Sequence, residues 1–227
     1  MRGDGRDANG KLVWHLVSGH ALAVSPLSDF DRIAPHLSLW HGYDPAVKAD
    51  LYSTCLLTSG GVYLIDPIPL KSEAFDELLG SARVTGIIVT NGNHLRAAAQ
   101  FSKQFPVPIF AHCETFADTT PRQFRGVADG DKICREVHVI GIEGAATGEI
   151  ILHCTLDDGT LIVGDALINF EPYGFTFLPS KYCSDAKLMR RSLRQLLRFD
   201  FERILFAHGA PILSAAKRKL EQLLDKV

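Results

Sequence analysis

The sequence has few cysteines, little net charge and no long apolar run, and each shortage disfavours a class of protein. Its five cysteines are widely spaced and form no Cys-x-x-Cys pair, which argues against a disulfide framework or a structural zinc site. The formal net charge is −2, so neither nucleic acid nor an anionic membrane is expected as a partner. No stretch approaches the ~18 unbroken apolar residues of a membrane span, and residues 1–10 lack the apolar core of a secretory signal. We therefore predict a cytoplasmic protein whose thiols are mostly reduced.

The length and composition fit one globular domain. The chain has 227 residues, of which 46% are hydrophobic and 22% charged, and these are ordinary values for a folded domain with a sizeable core. We predict a flexible leader at residues 1–10 and a single domain at residues 11–227. The sequence carries no signal for the oligomeric state.

Apolar segments separated by turn residues predict a layered α/β fold. Two strands at 51–59 and 62–67 flank a Gly-Gly turn and predict a hairpin. A continuous apolar strand at 84–90 precedes a helix at 94–104, as in parallel α/β units. Residues 29–48 mix aromatics, histidines and prolines without a clear period, which predicts irregular surface structure. Further strands are predicted at 12–17, 21–25, 106–112, 135–142, 148–156, 160–165 and 203–208, and further helices at 72–80 (capped by Ser72), 184–198 and 212–226.

Four short segments along this pattern carry a resemblance to a known family. They read LIDP at 64–67, TNGNHLR at 90–96, LIVGDALI at 161–168 and ILFAHGAP at 204–211. In this order and spacing they resemble the metallo-β-lactamase-fold superfamily, in particular its glyoxalase-II-like branch. The resemblance covers residues 50–227 and implies a four-layer αββα sandwich and hydrolytic chemistry at two zinc ions.

The same resemblance implies that the first metal-binding loop has lost its ligands. The family loop reads Thr-His-x-His-x-Asp-His. Laid over residues 90–96, it places Asn91 and Asn93 at the first two histidines, Leu95 at the aspartate and Arg96 at the last histidine.

Elsewhere the family pattern retains two ligands. A later loop, Gly-His-Ser/Thr-Pro-Gly in the family, has Ala145 at its histidine. Asp165 matches the bridging carboxylate and His208 matches the last histidine. Because catalytic zinc usually takes three protein ligands, we predict that the dinuclear centre is absent and expect no resident metal.

Arg96 suggests how such a site would be neutralised. A buried carboxylate without a positive partner costs several kcal/mol or becomes protonated. The sequence therefore predicts that the Arg96 guanidinium takes the place of the lost metal and forms a bidentate ion pair with Asp165.

His94 supports a different arrangement. It lies one residue out of the family register, and a small shift of the loop would join it to Asp165 and His208 in a mononuclear site for zinc or a similar divalent ion. The alternative, which the sequence favours, is that His94 caps the following helix or faces solvent. Asp66, in the LIDP segment, could orient His208 or the 90s loop by hydrogen bonds, or serve as a turn residue before Pro67.

Two functions follow from these alternatives. The first is a hydrolase relative with a degenerate site that binds a small anionic or acyl molecule, with Arg96 and His208 as polar groups and Asn91, Asn93 and Tyr173 as further contacts. The second is an active hydrolase of thioesters or lactones. It would use one metal on His94, Asp165 and His208, or no metal, with His208 as general base and Arg96 stabilising an oxyanion. The sequence leaves open whether the protein is an enzyme.

Overall fold

The computed structural model of the chain describes residues 24–116 and 120–226. The predicted leader at 1–10, the predicted strand at 12–17 and most of the one at 21–25 lie outside these residues. The predicted division into a leader and one domain therefore stays a prediction.

The strands of the described residues form two large sheets and one ribbon. The first sheet has seven strands in chain order: β1 (Asp31–Ala34), β2 (Leu37–Asp44), β3 (Ala49–Thr58), β4 (Gly61–Ile65), β5 (Val84–Ile88), β6 (Ile109–Ala111) and β7 (Phe124–Gly126). The second sheet contains β8 (Lys132–Cys134), β9 (Val137–Gly141), β10 (Ile150–Cys154) and β11 (Thr160–Val163), with β14 (Arg203–Phe206) added beyond β11. The ribbon pairs β12 (Leu167–Phe170) with β13 (Gly174–Phe177).

Both sheets change from antiparallel to parallel pairing where the chain inserts helices. Strands β3 and β4 form the predicted antiparallel hairpin, whereas β4, β5 and β6 run parallel. In the second sheet β9, β10 and β11 form the predicted meander, and β14 joins β11 in parallel. Parallel neighbours require a crossover connection, which the helices α1 (Ser72–Leu79), α2 (Ala98–Gln104) and α3 (Ala186–Leu193) supply; α4 (Ala216–Leu224) follows β14.

Three separate apolar cores show that the molecule has four layers. One core packs Leu56, Ile88, Leu152 and similar side chains between the two sheets. A second lies between the first sheet and helices α1 and α2, and a third between the second sheet and helices α3 and α4. The predicted αββα sandwich is confirmed.

Some predicted elements are corrected. The stretch 29–48 is not irregular, since it contains β1 and β2. Strand β2 shows no simple period because Leu37 and Leu39 face the core between the sheets while Trp40 faces the core under α1 and α2. The helix predicted at 94–104 starts only at Ala98.

The caps of helix α1 also differ from the prediction. Lys71, and not Ser72, occupies the N-cap position, and no side chain caps that end. Gly80 ends the helix as predicted, with its N–H bonded to the Asp76 carbonyl.

Within the described residues, no helix has both the length and the apolar character needed to cross a membrane.

Candidate metal centre

The ends of four strands place the site at one edge of the sandwich. Asp66 directly follows β4, and Thr90 lies two residues beyond β5. Asp165 and His208 each lie two residues beyond their strands, β11 and β14. Since β4 and β5 are parallel neighbours in one sheet and β11 and β14 in the other, their carboxyl ends meet at the same edge.

Three polar atoms converge at this edge. The His94 Nε2 atom lies 3.2 Å from Asp165 Oδ1 and 3.2 Å from His208 Nε2. The distance from His208 Nε2 to Asp165 Oδ1 is 3.4 Å. All three side chains are buried, and together they form a His/Asp/His cluster that could hold a metal ion. His94 therefore faces inward, and it neither caps a helix nor faces solvent.

Asp66 fixes the orientation of the His94 ring. Its Oδ2 atom lies 3.0 Å from His94 Nδ1 and also accepts a hydrogen bond of 2.6 Å from the Thr90 hydroxyl. Its Oδ1 accepts a bond of 2.9 Å from the Thr90 N–H. A carboxylate on Nδ1 favours the tautomer with a proton there, which leaves the Nε2 lone pair directed at Asp165 and His208. Of the two roles predicted for Asp66, orienting the 90s loop is thus the one the contacts support.

The backbone around the site is held in conformations that L residues rarely adopt. Asp66 has a φ of 47° and Arg96 a φ of 37°. Such left-handed residues cost free energy and persist where the surrounding structure imposes them. Here Asp66 directly follows β4, and Arg96 lies two residues after His94.

The three atoms fit a divalent ion of the zinc type. A tetrahedral zinc ion with bonds of about 2.0–2.1 Å places its ligand atoms roughly 3.3–3.4 Å apart. The three separations at His94, Asp165 and His208 are 3.2–3.4 Å. Two imidazole nitrogens and a carboxylate oxygen are also the donor types that zinc takes in open, three-ligand sites.

The second oxygen of Asp165 is occupied by amide donors. Its Oδ2 accepts hydrogen bonds from Asn93 Nδ2 at 2.9 Å and from Asn91 Nδ2 at 3.2 Å. The Asn91 amide is oriented by the Asn93 N–H, which donates to its Oδ1. An oxygen that accepts from two N–H donors has no lone pair left for a cation, so Oδ1 is the oxygen of Asp165 that remains open to the two imidazoles. Asn91 is fully buried, and its predicted contact with substrate stays a prediction.

Glu149 completes this side of the site and was missed in the sequence. It lies just before β10 and is buried. Its Oε2 accepts a bond of 2.6 Å from Asn91 Nδ2 and its Oε1 one of 2.9 Å from the Ala166 N–H. Burial and the nearby Asp165 raise the pKa of Glu149 to about 8. The available signal was a single acidic residue between Gly148 and an apolar strand.

Arg96 does not pair with Asp165. Its guanidinium donates to the backbone carbonyls of Tyr52 and Asp66, and to that of Ala207 at 3.3 Å. Among the described residues, the ion partners of Asp165 within 4.0 Å are His94 and His208. The predicted bidentate pair is wrong, because backbone carbonyls from both halves of the sandwich occupy the Arg96 guanidinium.

The charges of the site favour a cation at its centre. Burial opposes protonation of His94, but Asp165 and Asp66 outweigh it and raise its pKa to about 9. Burial, aided by the positive charges of His94 and Arg96, lowers the pKa of His208 to about 3. A proton on His94 Nε2 and a metal ion use the same lone pair and exclude each other.

An apolar cavity lies beside the convergent atoms. Asp165 and His208 form part of its wall. Its volume, counted as the space that the centres of water-sized molecules can occupy, is about 50 Å³. Tyr173, predicted to contact substrate, stands at this cavity with its ring 5.6 Å from that of Phe170. The other side chains that line it include Val47, Ile168, Leu178 and Tyr182.

Comparison with known proteins agrees with this fold. The sequence model of the metallo-beta-lactamase superfamily matches residues 30–227. The chain therefore belongs to the metallo-beta-lactamase superfamily. No protein of curated function matches the chain.

Solved structures of this fold are similar to the chain at low sequence identity. A beta-lactamase domain protein from Burkholderia ambifaria is 17% identical with a TM-score of 0.65, over 88% of this chain and 77% of that protein. The metallo-beta-lactamase DIM-1 is 12% identical with a TM-score of 0.70, over 89% and 99%. A metallo-beta-lactamase family protein from Thermus thermophilus is 19% identical with a TM-score of 0.64, over 86% and 80%. At these identities the likeness shows the shared fold.

Proposed function

We propose that the protein is a hydrolase that works with one divalent metal ion of the zinc type, held by His94, Asp165 and His208. The observation that carries this proposal is the set of three mutual distances, 3.2, 3.2 and 3.4 Å, between their donor atoms. Such an ion lowers the pKa of water and polarises an ester, thioester or lactone carbonyl. The proposed cofactor differs from the sequence-based expectation of no resident metal.

The protein's own residues would set the geometry of this site. Asp66 holds the His94 ring by its Nδ1 atom. Asn91 and Asn93 hold Asp165 through Oδ2, so that Oδ1 alone faces the two imidazoles. The cavity beside His208 and Asp165 would receive a small-molecule substrate on the same side.

Two features argue against the metal-free hydrolase. A general base works best when its pKa lies near the working pH, and the pKa of His208 is lowered to about 3. Arg96 cannot stabilise an oxyanion while its guanidinium donates to three backbone carbonyls.

A metal-free binding module is the second candidate. The charges of Asp66 and Asp165 are balanced by Arg96 and by an imidazolium at His94, whose pKa is raised to about 9. In that state the site would be stable without a metal ion, and the cavity could still bind a ligand.

Metal content separates the two candidates. The protein is purified without added metal and equilibrated with zinc. Unbound zinc is removed, and the zinc bound per chain is measured by mass spectrometry. We expect one zinc per chain, and a loss of most of it in His94→Ala and His208→Ala. The control is His112→Ala, a half-buried histidine outside the cluster, which should keep its zinc.

Activity is measured on the same samples. Hydrolysis of p-nitrophenyl butyrate and of an S-butyryl thioester should stop with a chelator, return with zinc and be absent in both cluster variants. Zinc content that is unaffected by His94→Ala would contradict the proposed metal site. Zinc binding without hydrolysis of any ester, thioester or lactone tested would contradict the proposed reaction.

A further inference from the structure

Among the described residues, the walls of the cavity beside the candidate metal centre carry no charged side chain apart from Asp165 and His208. Asp165 and His208 stand at one end. The remaining lining side chains are aliphatic, proline or aromatic, among them Ile168, Leu178 and Tyr173. Since an uncompensated charge in such surroundings costs several kcal/mol, the cavity disfavours an ionised group.

The sequence-based expectation was a small anionic or acyl ligand with Arg96 and His208 as polar groups, and the Arg96 cation is occupied elsewhere. Its guanidinium is bound to the carbonyls of Tyr52, Asp66 and Ala207. Arg96 is also not among the residues that line the cavity. Within residues 24–116 and 120–226, no arginine lines the cavity to bind a carboxylate or a phosphate.

A second, polar groove continues from the cavity. It shares Ala49 and Phe170 with the cavity and adds Lys48, Asp50 and Glu171. A molecule that reaches the three convergent atoms can thus place one end among apolar side chains and the other end among polar ones. In a substrate that is cleaved at these atoms, one half would lie in the apolar cavity and the other half in the polar groove.

We infer that the cavity takes the uncharged hydrocarbon acyl group of an ester or thioester. The polar leaving group then lies along the groove of Lys48, Asp50 and Glu171. This inference names the substrate class of the site proposed above and rests on that proposal for its chemistry. Hydrolysis breaks the bond between the acyl carbon and the leaving oxygen or sulfur. Water supplies the hydroxyl of the acid and the proton of the alcohol or thiol.

Binding of uncleavable amides tests the acyl preference without relying on activity. Acetamide, butanamide, hexanamide and the anionic succinamate are titrated into the full-length protein and followed by ligand-observed NMR. Each methylene that enters the cavity should tighten binding by about fourfold, the equivalent of ~0.8 kcal/mol. Succinamate should bind more weakly than butanamide, which has the same number of carbons.

Variants of the cavity wall and a matched control locate the binding site. Ile168→Thr and Tyr173→Ser should each weaken hexanamide binding several-fold. Leu213→Ser removes an apolar side chain that is 48% exposed and does not line the cavity, so it should change nothing. Circular dichroism of each variant checks that it is folded.

The outcomes distinguish this inference from the proposed function. Equal affinities for all chain lengths, a preference for succinamate, or hexanamide binding that is unchanged in both Ile168→Thr and Tyr173→Ser would overturn the acyl assignment. A failure of the metal and hydrolysis experiments would overturn the proposed function, while the amide series would still decide whether the cavity prefers hydrocarbon groups.

Discussion

At the residue scale, the candidate centre depends on how the His94 ring is held by a second group. The His94 ring is fixed on one side by Asp66 and Thr90 and faces Asp165 and His208 on the other. Carboxylates that hold the outer nitrogen of a metal-bound imidazole usually contribute a 10–100-fold increase in metal affinity. Asp66 is therefore as much part of the centre as the three convergent residues.

The variant Asp66→Asn tests this role. It keeps the size of the side chain but removes the charge that holds the proton on His94 Nδ1, so we expect a 10–100-fold rise in the zinc dissociation constant, measured by competition with a chromogenic chelator. Asp157→Asn is a closely matched control. Asp157 also has a positive φ, of 50°, and lies 3.1 Å from the Nδ1 of His36, away from the site. Equal zinc affinities for the two variants would contradict a role of Asp66 in the centre.

A separate prediction concerns Arg96, whose hydrogen bonds to backbone carbonyls should stabilise the fold. Arg96→Met keeps most of the apolar stem and removes the donors to three backbone carbonyls. Hydrogen bonds to charged groups contribute about 1.5–3 kcal/mol, and buried carbonyls left without donors cost more. We expect the free energy of unfolding in urea to fall by about 3 kcal/mol, whereas Arg191→Met, at an exposed arginine, should change it by less than about 0.5 kcal/mol. A loss below about 1 kcal/mol for Arg96→Met would contradict this structural role.

At the scale of elements, the sequence predicted what periodicity and turn residues encode. The hairpin of β3 and β4 followed from two apolar runs around Gly60 and Gly61, and helix α1 from the acidic residues of its first turn and from Gly80. Strand β2 was missed because its buried side chains contact cores on both faces of the sheet. No local pattern in one segment reveals which layers will later cover it.

The position of His94 in the site could likewise not be predicted from local sequence. Aligning motifs by residue number treats the loop as unchanged, and it put Arg96 where a ligand belongs. The structure instead has a short 3₁₀ helix at Gly92–His94, which turns the His94 ring inward. The pairing of Asn91 with Glu149 joins residues 58 positions apart, and such a contact is set by the fold of the whole sandwich.

The end of β11 depends on a glycine. A Cβ at Gly164 would lie 2.7 Å from Thr90 Oγ1 and 2.9 Å from both Asn91 Nδ2 and Glu149 Oε1. These polar groups hold Asp66 and Asp165 in place, so any side chain at position 164 must push them apart. The strand can present Asp165 to the site only because residue 164 has no Cβ.

We therefore expect Gly164→Ala to damage stability and the metal centre together. Overpacking in a buried site costs roughly 1–3 kcal/mol, and the displaced Asn91 should release Asp165, so zinc content should fall as well. Gly60→Ala is the control, because the nearest atom to its Cβ would be at 3.8 Å. Urea unfolding and metal analysis of both proteins check the prediction, and a Gly164→Ala protein with the parent stability and zinc content would contradict it.

At the scale of the whole molecule, the centre joins the two halves of the sandwich. Asp66 and His94 belong to the half built on the first sheet, and Asp165 and His208 to the half built on the second. Arg96 bridges the same boundary through Asp66 and Ala207. A metal ion bound by both halves would thus stabilise the folded protein as a unit.

Thermal unfolding measures how much a bound metal ion stabilises the folded protein. A ligand that binds only the folded state stabilises it by about 2.7 kcal/mol when its concentration is 100 times its dissociation constant. For a chain of this size 1 kcal/mol raises Tm by about 2–4 °C, so saturating zinc should raise Tm by roughly 5–10 °C. Magnesium prefers six oxygen ligands and should leave Tm unchanged, as should zinc with His208→Ala. Because each half supplies a histidine ligand, His94→Ala should abolish the shift as fully as His208→Ala does; a shift that survives either substitution would place the zinc elsewhere.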